Sequence, residues 1–237
     1  MRKVLNISIN DIIPSVKTVL RGQGIPPHVK PDERMIRLTE EAISIFQQKA
    51  KPIGLLSEIS KDEFTNVFVG DGRNEIDSPI EKIYKVSDEF AIFAVTVGED
   101  ICSEILSLFK RNDFAIGSLL DSTASEGTEM AAQVIEDFYK KQLVKSGHFS
   151  KIKGILRFSP GYCGWHISAQ KKLFQILHPE DIVITLNASF LMQPLKSISG
   201  VIITGKKDIF EFEDTFSFCK DCSTHTCRDR IDSLSAN

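Results

Sequence analysis

Apolar residues recur at helical spacing over residues 35–46, where Met35, Ile36, Leu38, Ala42, Ile43, Ile45 and Phe46 keep an approximate 3.6-residue period. Pro31, Asp32 and Glu33 supply first-turn chemistry, and Lys51-Pro52 ends the segment. An earlier apolar stretch, opened by Asn10-Asp11 as a cap, ends near Leu20 and is broken by the Gly- and Pro-rich residues 21–27. The first sixty residues therefore read as mostly helical. Two short strand-like runs follow, 53–59 and 64–69, with a turn at Val69-Gly70-Asp71-Gly72. Residues 90–97 (FAIFAVTV) are almost wholly apolar, β-branched or aromatic, as a strand buried on both faces requires. Gly98-Glu99-Asp100 leads into a helix reaching about Lys110.

The longest helix is predicted over 113–145, with Ile116, Leu119, Leu120, Met130, Ala131, Val134, Ile135, Phe138 and Leu143 apolar. Its first half is rich in Gly, Ser, Ala and Thr, which weakens a helix. Close packing on a neighbouring sheet is the favoured reason, and room for a ligand beside the helix the alternative. Beyond Gly147 the pattern reads strand (152–158), loop (159–165), helix (168–177) and two strands (182–192 and 199–204). Strands interspersed with irregular helices do not make a regular βαβ repeat. The expectation is an α+β fold, a twisted and largely antiparallel sheet with flanking helices. Neither GxGxxG nor a Walker A sequence occurs.

Composition narrows the classes. The chain has 237 residues, enough to bury a core without covalent staples. Lys plus Arg number 29 against 32 Asp plus Glu, so no basic excess points to nucleic acid or to an anionic membrane surface. No run approaches the length of a membrane span, and the first residues do not read as a secretory signal, so a cytoplasmic protein is expected. In a reducing compartment, three of the five cysteines crowded into residues 219–227 suggest metal or redox chemistry rather than disulfides.

Most of the chemistry lies in Arg157-Phe158-Ser159-Pro160-Gly161-Tyr162-Cys163-Gly164-Trp165-His166. Pro160-Gly161 marks a turn between strand and helix. Arg157 is able to bind a carboxylate bidentately, and Tyr162 and Trp165 offer aromatic faces. Taken alone, the segment reads better as an ordinary strand-turn-helix corner with its arginine in a surface ion pair, because a Pro-Gly turn is common. A Cys163–His166 thiol–imidazole pair, the basis of a thiol-enzyme reading, lacks an evident third residue to orient it.

A second segment changes that balance. Thr185, Ser189-Phe190, Met192, Pro194, Ser197 and Ser199-Gly200 follow the arginine loop in fixed order. Together, R-x-x-P-G-Y, T-x-x-x-S-F-x-M-x-P and S-x-S-G resemble the activation domain of cobalamin-dependent methionine synthase, in a free-standing form without substrate or cobalamin modules. The resemblance implies an S-adenosylmethionine-binding domain over 1–213. It would serve as an accessory component, supporting reductive methylation of cob(II)alamin held by a partner corrinoid methyltransferase. It implies Arg157 on the methionine carboxylate, the backbone of Ser159, Pro160 and Gly161 against adenine or ribose, and Tyr162 beside the ligand. Ser199 and Gly200 belong to the same motif. An acidic residue of the long helix near the sulfonium is also implied, with Glu129 the candidate and Glu126 or Glu136 the alternatives. Phe210 falls where the family has a ligand-contacting tyrosine, and the residues after Tyr162 depart from the family's charged stretch.

From about residue 214 the chain turns polar and Cys-rich, and 214–237 is expected to be a tail or small metal module. Cys219, Cys222 and Cys227 with His225 match zinc as Cys3His or supply three ligands of an iron–sulfur cluster. An electron-delivery role would suit the latter, with a flavodoxin or ferredoxin as donor. The alternative function is a corrinoid-docking or electron-delivery module whose S-adenosylmethionine site is weak or lost.

Overall fold

In the computed structural model, residues 1–26 and 28–210 are described. The central sheet has five strands in the order β1 (Arg2–Asn6), β2 (Ile53–Ile59), β3 (Glu89–Thr96), β7 (Ser197–Lys206), β4 (Lys153–Phe158), every neighbouring pair antiparallel. Helices α1 (Val16–Gly22), α2 (Glu33–Lys49), α5 (Glu99–Lys110) and α6 (Phe114–Lys145) contribute to the core on one face. On the other face lie α3 (Lys61–Val69), α4 (Pro79–Val86) and α7 (Gln170–Leu177). The α+β architecture read from the sequence is therefore present.

Strand alternation builds both cores from the same residues. In β3, Ala91, Phe93 and Val95 face α2, α5 and α6, whereas Phe90, Ile92 and Ala94 face α3 and α7. The small residues of α6 let its neighbours approach. A Cβ on Gly127 would sit 2.3 Å from the Phe46 ring of α2. Close packing, against a helix rather than a sheet, thus accounts for that position.

Several elements differ from the sequence reading. Residues 64–69 are not a strand but the body of α3. Ser60 and Glu63 form a capping box at its start, and Phe64, Val67 and Phe68 bury one helical face. Each of those side chains contributes about 1.5–3 kcal/mol of burial, enough to override β propensity. Residues 2–6, expected to precede helix, form the edge strand β1, and Ser15 rather than Asn10 or Asp11 caps α1. The run 182–192 is not one strand. It contains a short antiparallel pair, β5 (Thr185–Leu186) and β6 (Met192–Gln193), closed by Asn187, whose Oδ1 accepts from the N–H groups of Ser189 and Leu191. Helix α4 was not anticipated. It opens with Pro79 in its first turn and buries Ile80, Ile83 and Tyr84. No helix among the described residues is long and apolar enough to cross a membrane.

Candidate functional site

Strand β4 ends at Phe158 beside the start of β7, since Phe158 pairs with Val201 and β7 begins at Ser197. The turn 159–165 therefore leaves the sheet next to Ser199 and Gly200. A Cβ on Gly200 would lie 2.1 Å from the Phe158 carbonyl oxygen and 3.0 Å from Ser159 Oγ. Only glycine lets the chain leave β4 this close to β7. Beyond Pro160 the backbone curls tightly: Gly161 has φ +96°, and its N–H donates to the Trp165 carbonyl at 2.7 Å. Cys163 also adopts a positive φ of 54°.

Alternation along β4 sends Arg157 to the α6 face, where its side chain is only 6% exposed. Three α6 residues one or two turns apart, Glu129, Gln133 and Glu136, receive it. Arg157 Nη1 donates to Gln133 Oε1 at 2.7 Å and to Glu136 Oε2 at 3.2 Å. Its Nη2 donates to Glu129 Oε2 at 3.0 Å. Glu136, 7% exposed, also accepts from Gln133 Nε2 on its other oxygen, whereas the Glu129 side chain is 39% exposed. Arg157 thus lies in a buried network rather than the surface pair its sequence context allows. Two carboxylates face one guanidinium, an excess of negative charge that favours a cation nearby.

Of the three acidic candidates, Glu129 and Glu136 meet Arg157. Glu126 instead lies beside Gly22 at the end of α1. Burial first, and the Glu129 carboxylate second, push the Glu126 carboxyl above its ordinary value, with Arg21 opposing.

The other side of the turn forms a shallow cleft of about 310 Å³, lined by Arg73, Glu75, Gly161, Gly164, Trp165, His166 and Ile167. The loop between α3 and α4 is stitched to it. Asn74 Oδ1 accepts from the His166 N–H, Gly164 O from the Glu75 N–H, and Cys163 O from Ser78 Oγ. Tyr162 is exposed, while Trp165 is buried against Phe64 and Phe68. His166 Nδ1 accepts from the Ser168 N–H.

The predicted residues thus divide. Arg157 and Glu129 meet directly, and Ser159, Pro160, Gly161 and Tyr162 follow Arg157 in the turn that leaves the sheet next to Gly200. Ser199 points to the opposite face, donating to Gln170 of α7. Phe210 follows the far end of β7 and is 1% exposed in the α7-side core, so it does not join the site. Gln133, Arg73 and Glu75 were missed by sequence reasoning. The 129/133/136 spacing on one helix face was a usable signal for Gln133, whereas nothing local marked the α3–α4 loop. Cys219, Cys222, His225 and Cys227 lie outside the described residues, among which no metal-ligating cluster occurs.

The model of a family described as vitamin B12 dependent methionine synthase, activation domain, matches residues 79–213. A solved structure titled as the MetH reactivation domain bound to AdoHcy is similar over 98% of this chain and 89% of its own. The TM-score is 0.60 at 14% identity, a likeness of fold. No curated protein matches.

Proposed function

The chain belongs to the activation domain family of vitamin B12 dependent methionine synthase, and from that premise we propose that it binds S-adenosylmethionine and presents it to a corrinoid protein for reactivation. The observation that carries this reading is the Arg157–Glu129 pair beside the P-G-Y turn. A guanidinium and a carboxylate 3.0 Å apart match the two charge types of the ligand, an α-carboxylate and a sulfonium. Arg157 binds the carboxylate, Glu129 offsets the sulfonium, and Ser159, Pro160 and Gly161 hold the nucleoside with Tyr162 alongside. The structural relative's bound AdoHcy, the demethylated form of this ligand, supports the same choice.

The partner supplies cobalamin as the methyl acceptor. With one electron from a flavodoxin- or ferredoxin-type donor, the sulfonium methyl passes to the reduced cobalt and S-adenosylhomocysteine leaves. This chain's own contribution is to position the two reactants, which needs no nucleophile of its own. We further assign residues 1–213 to the binding domain and 214–237 to a tail with zinc or an iron–sulfur cluster on Cys219, Cys222, Cys227 and His225.

One observation favours a second reading, a docking or electron-delivery module with a weakened ligand site. Arg157 already meets three side-chain acceptors. Calorimetric titration of S-adenosylmethionine, with S-adenosylhomocysteine alongside, separates the two. Saturable binding by the isolated protein or in the presence of a cobalamin-loaded partner is expected, and absence of binding in both supports the second reading.

A further inference from the structure

We propose that Glu129 occupies the seat of the ligand's carboxylate, so that the ligand enters by displacing an internal competitor. This rests on the preceding reading, in which Arg157 receives that carboxylate. The two acids on Arg157 are not equivalent. Glu136 is 7% exposed and is held from both oxygens, by Arg157 Nη1 and by Gln133 Nε2. It therefore anchors the inner edge of the guanidinium. Glu129 meets the outer nitrogen, Nη2, and its side chain is 39% exposed. The outer edge is the one an incoming molecule can reach, and a carboxylate already lies on it.

A guanidinium has a limited number of in-plane donors. Nη1 is taken by Gln133 Oε1 and Glu136 Oε2, and Nη2 donates to the Glu129 carboxylate at 3.0 Å and to the Glu129 backbone carbonyl at 3.4 Å, so a carboxylate arriving at the Nη2 edge competes with the Glu129 side chain. Releasing Glu129 costs less than releasing Glu136, because its side chain is 39% exposed and water screens its charge. The released carboxylate remains on α6 beside the site, able to face the cationic part of the same ligand. The exchange makes affinity depend on the ligand's own carboxylate, which selects amino-acid-bearing nucleosides over nucleosides without that group.

The test is titration of S-adenosylhomocysteine and 5′-methylthioadenosine into wild type, Glu129→Gln and Arg157→Gln, with folding checked by circular dichroism. Both probes carry a neutral thioether, and only the first carries a carboxylate. Glu129→Gln is expected to tighten S-adenosylhomocysteine up to about fivefold, the size of a partly exposed ion pair, and to leave 5′-methylthioadenosine unchanged. Equal tightening of both probes, or unchanged or weaker S-adenosylhomocysteine binding, overturns the proposal. If a folded Arg157→Gln binds S-adenosylhomocysteine as wild type does, the underlying assignment of Arg157 fails, and the competitor role fails with it.

Discussion

Replacing Arg157 by methionine removes the cation from beneath Glu136 while keeping an unbranched apolar stem. Glu136 is 7% exposed and would lose the guanidinium 3.2 Å from its Oε2, keeping only the Gln133 amide. Leaving one member of a buried pair without its partner costs about 3–5 kcal/mol. The Glu129 contact, being partly exposed, adds at most about 1 kcal/mol. For a chain of this size each kcal/mol lowers Tm by about 2–4 °C, so Arg157→Met should melt roughly 10 °C below wild type. Thermal melting followed by circular dichroism at neutral pH measures it. Adding Glu136→Leu should recover at least about half of the loss, because the orphaned charge leaves with its side chain. A single variant melting within about 2 °C of wild type would refute the buried network. A double variant less stable than the single one would refute the account of where the cost arises.

Gly200→Ala drives a Cβ to 2.1 Å from the Phe158 carbonyl oxygen, so the β4–β7 exit must spread. A loss of about 1–3 kcal/mol in chemical denaturation, with weaker ligand binding, is expected, and wild-type stability would contradict it. Glu126→Gln tests the α6 acid that burial and Glu129 push above the ordinary carboxyl value of 4.5. A raised folded value means that ionising Glu126 opposes folding, so the glutamine variant should melt higher at pH 7. That advantage should vanish as the pH falls below about 4.5, where the carboxyl is protonated in both states. A Tm difference independent of pH would contradict this cause. Metal analysis of the anaerobically purified full chain tests the tail: zinc or iron should be retained and then lost on replacing Cys219 and Cys222 by serine. Protein free of both metals would remove that assignment.

Local pattern by itself determined α2, β3, α5, α6 and β4, because each carries a period or an apolar run long enough to admit one answer. It also determined the family, since the R-x-x-P-G-Y turn and the S-x-S-G strand start are contiguous signals. Short segments were decided elsewhere. Phe64, Val67 and Phe68 fit a strand run or a helix face equally, and α3 forms because that face meets the aromatic Tyr84, Phe90 and Trp165 across the second core. Residues 2–6 become a strand only through the β2 edge that pairs with them.

The site divides in the same way. Sequence chose Arg157 and offered three acids on the long helix. Only the layer order placed α6 over the face to which β4 alternation sends the arginine, selecting Glu129 and Glu136 over Glu126 and sending Ser199 and Phe210 to the other side. A strand fixes which residues share a face from its own geometry, but what covers that face depends on the rest of the chain.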